Sequence, residues 1–463
     1  MLIDAVVLNA KGATVGDLDA ADFDLLVDDK DVEIASLDRD CPLGGQPDPP
    51  VDAARPAVDA TRPAVPRRYI LVVDYYHMGA DQGSRYAHGV PQVEVLERVR
   101  DAVERLHVPG EQYMLLSLGQ VLRVEVPFTD QYAELSSGID RMIEDRGLYA
   151  GFYGRLTERR WFERVLTLLD LMELIPGHKS VVLFSGPFQS DGWYYDETFW
   201  RIAAMSGQTR TAFYPVDSRG LVDSRGYVTR DSNLLGPAML GRLAVETGGK
   251  STAGTNDLGR GLARAQRDQS CRYTVGFYDD RPQADHERKV RLFVRRPGHR
   301  VAHPTFYVVR SEEREHESRL STAVMVPSMF AGSGLSSRLL LVRPHTASRW
   351  SALAEVRVEP ELLATTPAGT EWLAQGTLRK LNGTVHQAFE NRFTTPEPAG
   401  EALEWSAPIQ PRPGRYRFDV VLSYPGIEMP LASTRQVIVP EVPEEELSLV
   451  GPLMGREAES PDD

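Results

Sequence analysis

The sequence predicts an α/β fold: a doubly wound, Rossmann-like parallel sheet, with β-sandwich elements on both sides of it in the chain. Two observations predict this. Between residues 69 and 270, short unbroken apolar runs alternate with segments of helical periodicity. That is the pattern of strands buried on both faces and joined by crossover helices. Before and after that stretch the apolar residues recur at period two, punctuated by Gly and Pro, as in half-buried antiparallel strands.

Residues 1–40 open the chain. Val6 to Leu8 runs into the turn Lys11-Gly12, and Phe23 to Val27 runs into Asp28-Asp29-Lys30. A piece of this size buries too little to stand alone. It is expected to pair with the similar period-two segment at 271–310, which makes the domain between them an insertion. Residues 41–68 read as a Pro-rich linker, because Pro42, Pro47, Pro49, Pro50, Pro56, Pro63 and Pro66 remove backbone donors. Within it Ala54-Arg55-Pro56-Ala57-Val58 returns as Thr61-Arg62-Pro63-Ala64-Val65, a local duplication in a spacer.

Residues 69–270 form the α/β domain. Tyr69 to Asp74, Tyr113 to Leu118, Ser180 to Ser185 and Thr211 to Asp217 read as strands, and Val121 to Val126 as the hairpin partner of the second. Val95, Val99, Ala102, Val103 and Leu106 repeat at helical spacing, as do Phe162, Val165, Leu166, Leu169 and Met172. Further helices are expected near 131–144, 196–206, 236–247 and 257–268. Residues 271–310 read as a β-meander and 311–335, polar and then Ser/Gly-rich, as a linker. Residues 336–440 carry only strand-like runs between Gly and Pro, the reading of a separate β-sandwich of immunoglobulin or fibronectin-III type. The tail 441–463, with Glu444-Glu445-Glu446 and a terminal Asp462-Asp463, has the composition of a solvated acidic segment.

Composition excludes several functions. The 463 residues are 25% charged and 42% hydrophobic, with a formal net charge of -14. Such a chain repels phosphate backbones, so nucleic acid is not expected as a partner. No run of about 18 apolar residues exists, so no membrane insertion is expected. The N-terminus has no basic region, and Asp4 interrupts its apolar run, unlike a signal peptide. The compartment stays open: cytoplasmic, or secreted or periplasmic if a leader is missing. Cys41 and Cys271 lack a CxxC neighbour, which removes zinc and thioredoxin-type readings. A disulfide and two unrelated thiols both remain open.

In an open sheet of this kind ligands bind at the carboxyl ends of the strands. That edge carries Asp74, Ser117, Ser185 and Asp217. Asp74, closing the first buried strand, suits a divalent cation or equally a loop or helix cap. His286, His299, His303 and His316 show no ligand spacing and read as surface residues. The chain has no G-x-S-x-G, HExxH, P-loop or GxGxxG.

The apolar strand ending in Asp74 and the later Val-Leu-Phe-Ser-Gly strand resemble the von Willebrand factor A fold. More narrowly, residues 2–309 resemble the von Willebrand factor A-related proteins abundant in Acidobacteria. The resemblance rests on Leu18 to Phe23, Phe184-Ser185-Gly186, Tyr214 to Leu221, Thr247-Gly248-Gly249, Asn256-Asp257-Leu258 and Tyr273 to Tyr278, in order. It implies an adhesion site in which an Asp-x-Ser-x-Ser run, a Thr from a later loop, here sought in 147–157, and an Asp after the fourth strand surround Mg²⁺. Here Tyr76 and Met78 stand at the serine positions and Gly186 at the late Asp, poor ligands for a hard cation. No metal and no other cofactor is therefore expected, with Asp191 the one nearby substitute carboxylate.

The resemblance and the residues together predict a non-catalytic, metal-independent protein-binding or scaffolding module of adhesion type. Its contact residues would be Asp74, Tyr75, Tyr76, His77, Ser185, Trp193 and Asp217, on the strand-end edge. The alternatives are a hydrolase using Asp74 or Asp217, for which no nucleophile–base pair is evident, and a structural component of a secreted or surface assembly. The oligomeric state has no sequence signal.

Overall fold

The structure, a computed structural model, describes residues 1–41, 66–78, 92–119, 121–145, 148, 155–186, 195–221, 230–280, 283–332, 334–342, 350–364, 366–367, 369–380, 385–395 and 403–441. The repeat within 42–65 and the acidic tail lie outside these residues. The chain divides into two compact units, 1–322 and 323–463.

The first unit opens with β1 (Leu2–Leu8), β2 (Phe23–Val27), β3 (Lys30–Val32) and β4 (Ile34–Asp40). The α/β domain follows as β5 (Arg68–Asp74), α1 (Gln92–Leu106), β6 (Gln112–Leu118), β7 (Leu122–Thr129), α2 (Tyr132–Glu144), α3 (Arg155–Glu173), β8 (Lys179–Ser185), α4 (Asp196–Thr209), β9 (Thr211–Asp217), α5 (Arg230–Glu246) and α6 (Gly259–Asp268). Its sheet has the order β7-β6-β5-β8-β9. β5 pairs in parallel with β6 and β8, and β8 with β9, while β7 runs antiparallel on the edge. The first strand is thus central and the chain leaves it to either side. Alternate residues of β5 explain its unbroken apolar sequence. Tyr69, Leu71 and Val73 share a core with Val95 and Val99 of α1, Leu135 and Ile139 of α2, and Leu262 of α6. Ile70 and Val72, pointing the other way along a period-two strand, are equally buried.

The chain then returns to the β layer as β10 (Arg272–Phe277), β11 (Arg288–Val294), β12 (Arg300–Ala302) and β13 (Phe306–Tyr307), and α7 (Glu312–Met325) crosses the division between the units. The two ends of the unit make two antiparallel sheets, β12-β1-β10-β4 and β13-β11-β2-β3. Leu2 faces Gly276, Arg272 faces Asp40, and Val27 faces Val290. Ile3, Ala5, Val7, Phe23, Leu25, Tyr273, Val275 and Leu292 form their shared core. The α/β domain is therefore inserted between β4 and β10. A disulfide joins Cys41 to Cys271 where the chain leaves and re-enters this layer, which decides between the two readings of the cysteines.

Residues 311–335, expected as a linker, instead carry α7. The glutamates that read as solvated spacer stabilise the start of the helix. Glu312, Glu313 and Glu315 occupy its first turn, where carboxylates complement the helix dipole. Glu315 pairs with Arg319 one turn on. His303, expected at the surface, is held between Leu292 and Pro304. Its Nε2 accepts from the Leu292 N–H at 3.1 Å, and Nδ1 lies 2.8 Å from the Pro304 carbonyl.

The second unit contains β14 (Leu335–Val342), β15 (Ser351–Val358), β16 (Glu371–Lys380), β17 (Val385–Thr394), β18 (Leu403–Ile409), β19 (Gly414–Ser423) and β20 (Leu431–Val439). They form two antiparallel sheets, β14-β15-β18 and β17-β16-β19-β20. Ala354 and Val356 from one sheet share an apolar core with Trp372, Phe418 and Val420 from the other.

Candidate functional site

β5 delivers Asp74 to the carboxyl end of the sheet, and the chain turns there. Oδ1 of Asp74 accepts the backbone N–H of Tyr76 at 2.8 Å, which folds the turn onto its own side chain. Oδ2 receives three more groups. The indole Nε1–H of Trp161 donates from α3 at 2.8 Å, the Ser185 hydroxyl donates from the end of β8 at 2.6 Å, and His77 Nδ1 lies at 2.8 Å. Asp74, Trp161 and Ser185 have no exposed surface. A carboxylate offers about four acceptor positions, two on each oxygen; three protein groups converge on Oδ2 and one on Oδ1.

Gly186 lets the turn after β5 approach the end of β8. A Cβ there would lie 1.8 Å from the carbonyl oxygen of His77. The turn after β5 thus closes onto the end of β8 and occupies the space that an aspartate side chain would need. Met78 and Tyr76 are buried as well. Asp74, the carboxylate described at this position, is buried against N–H and O–H donors from α3, β8 and the turn after β5.

The expectation that Tyr75, Tyr76 and His77 present an aromatic contact surface is corrected. Tyr75 and Tyr76 retain 1% and 6% of their surface. The His77 ring packs edge-on against Trp161, with centroids 5.6 Å apart. Burial raises the Tyr76 phenol above its ordinary pKa of 10, against the opposing effect of its hydrogen-bond partner Arg164. His77 turns inward onto Asp74 and Trp161, and Tyr76 onto Arg164, while Tyr75 packs into the apolar core with Val95 and Val99. Trp193 and Asp191 lie outside the described residues.

Asp217 ends β9 and is buried, but it is not joined to Asp74. Its carboxylate is engaged by Arg219 through Nε at 3.0 Å and Nη2 at 2.8 Å, and by the Arg219 backbone N–H at 3.1 Å. Ser185 links the two regions through its backbone carbonyl, which accepts from Ser218 N–H and Oγ–H. The structure thus brings together Asp74, His77 and Ser185, adds Trp161, and leaves Asp217 in a separate ion pair. Sequence reasoning missed Trp161. The available signal was a large N–H-bearing side chain inside the apolar stripe of α3, since a buried indole N–H needs an acceptor.

A second polar cluster joins the opposite end of the sheet to the β layer. Asp4 of β1 accepts from Arg210 Nε and Nη2 at 2.9 and 2.7 Å and from Thr274 Oγ1 at 2.9 Å, and His178 Nδ1 lies 2.9 Å away. Burial would raise the Asp4 pKa, but the His178 and Arg210 contacts hold it well below the carboxylate range. His178 is pushed down to about 4 by burial and by the nearby Arg272 charge. It is therefore neutral at pH 7 and donates Nδ1–H to Asp4. The adjoining cavity is about 10 Å³, room for about one water molecule.

No known family matches the chain, and no curated protein does. Among solved structures it is similar to BatB from Bacteroides thetaiotaomicron, at 11% identity and a TM-score of 0.30 over 44% of this chain and 97% of that one. It is also similar to the PilB minor pilin from Streptococcus sanguinis, at 8% and 0.31 over 44% and 61%, and to the ArnB paralog VWA2 from Sulfolobus acidocaldarius, at 9% and 0.27 over 82% and 67%. At these scores the likenesses carry no argument, and the fold rests on this chain's own strand order.

Proposed function

We propose that this chain is a non-catalytic protein-binding or scaffolding module, built on a doubly wound von Willebrand factor A-related domain that works without a metal ion. The observation that carries the reading is the closure of Asp74 by Tyr76 N–H, His77, Trp161 and Ser185. A carboxylate that coordinates a cation together with a partner must be reachable from solvent. This one has no exposed surface, and its acceptor positions are used to tie β5, α3 and β8 together. We assign no catalytic role to Asp74 or Asp217, because each is buried against protein donors and the Ser185 hydroxyl beside Asp74 is itself closed off from solvent.

The test is a thermal melt in millimolar Mg²⁺ or Mn²⁺ against one in EDTA. A cation bound selectively to the folded state would raise the melting temperature by mass action. We expect coincident curves. A cation-dependent rise that disappears in Asp74→Ala would overturn the reading.

A further inference from the structure

The flank beyond β9 gathers several cations. Residues Thr247 to Thr252 run alongside β9, with Thr252 bridged to Val216. α6 packs next to them, burying Leu262 and Ala265. Arg260, Arg264 and Arg267, spaced four and three apart, share its other face. Arg264 Nη1 donates to the Ser251 carbonyl at 2.7 Å and lies 3.0 Å from Thr252 Oγ1. That fixes its charge beside Lys250. The bridge from Thr247 to Pro304 brings the end of β12, which starts at Arg300, alongside this segment; burial and the charges of Arg264, Arg300 and Arg267 oppose protonation of Lys250, and Asp268 favours it.

Several other cations of this unit meet carboxylates: Arg210 with Asp4, Arg219 with Asp217, Arg288 with Asp279, and Arg310 with Asp170 and Glu173. Among the described residues no carboxylate lies within ion-pair distance of Lys250, Arg264 or Arg300. Asp268, the nearby acid, is itself buried, and burial raises its pKa. Arg267 approaches it only at 3.4 Å, and its buried Nε has no hydrogen-bond partner among the described residues. Lys250 and Arg264 thus share one buried acid, Asp268, and like Arg300 have no ion-pair partner of their own among the described residues, in a chain of net charge -14.

We propose that Lys250, Arg264 and Arg300 form a docking surface for an acidic peptide segment of a partner protein. Guanidinium groups match carboxylates in geometry and charge. A short acidic segment feels mainly charges within a screening length of about 8 Å, whereas an extended polyanionic surface also meets the overall negative charge of the chain. The proposal is independent of how Asp74 is used, since α6 and the flank beyond β9 do not include it.

The test uses the full chain and a fluorescein-labelled hexaglutamate peptide, with binding read by fluorescence anisotropy in EDTA at low and at high salt. The comparison protein is the double variant Lys250→Gln/Arg300→Gln. Both side chains are exposed, and an unchanged circular dichroism melt would verify its fold. We expect binding at low salt that fades at high salt and is about tenfold weaker in the variant. Equal binding by the two proteins, or no binding by either, would overturn the proposal. So would variant-sensitive binding to phosphatidylserine vesicles without peptide binding, which would assign the surface to membranes. Peptide binding in EDTA alongside an Mg²⁺-dependent melt would leave this inference standing and remove only the metal-free reading of Asp74.

Discussion

Gly186 decides the chemistry of the strand-end edge more than any polar residue there. With the His77 carbonyl 1.8 Å from where its Cβ would be, the backbone of the turn fills the space that any side chain at this position would need. The contact is with backbone rather than with the tip of a flexible side chain, so it cannot relax cheaply. Gly186→Ala is expected to destabilise the first unit by about 1–3 kcal/mol, in the range of other overpacked sites, measured by urea unfolding. A variant as stable as the parent would mean that the turn after β5 stands off from β8, and that the space for a cation is open after all. Asp74 at the close of a buried strand is readable in the sequence. Its tie to Trp161 is not, because an indole 87 residues from its acceptor leaves no local pattern.

At the scale of elements, strands buried on both faces were the most legible feature. Tyr69 to Asp74 and Ser180 to Ser185 announce themselves as unbroken apolar runs because helices cover both sides of β5 and β8. α7 was hidden because its stability comes from charge placement rather than from an apolar stripe. The seating of β1 against the inserted domain was hidden too, since it depends on Asp4 meeting Arg210, 206 residues away. That seam is expected to respond to acid. The His178 pKa is about 4 in the fold and about 6.5 in an unfolded chain. The unfolded state therefore takes up a proton first as pH falls, so the stability contributed by neutral His178 is complete above about 6.5 and is lost between there and about 4. Between pH 7 and pH 5 the loss should be on the order of 1–2 kcal/mol, seen as a lower urea midpoint. His178→Asn, whose amide donates from a similar place without titrating, should remove most of that slope. An unchanged slope would place the acid sensitivity elsewhere, with His303 the next group to examine, since its protonation would oppose the bond from the Leu292 N–H.

In the whole molecule, the only two cysteines sit at the base of the insertion, and the bond between them closes a loop with a sequence separation of 230. β4 and β10 are already paired there, Asp40 facing Arg272, so the bond adds a covalent tie where the strands must find each other across the whole α/β domain. Closing so long a loop restricts the unfolded chain strongly, and removing a native disulfide typically costs about 2–5 kcal/mol. All of that belongs to the first unit, because the second, 323–463, contains no cysteine and has its own core around Trp372 and Phe418. Two consequences are expected in calorimetry. Reduction, or Cys41→Ser, should lower one transition by roughly 5–15 °C and leave a second in place. Residues 323–463 expressed alone should reproduce that second transition as a cooperative, β-rich melt. If reduction moved the entire unfolding profile together, the two units would be thermodynamically coupled. If it moved nothing, strand pairing alone would suffice to hold the insertion at its base.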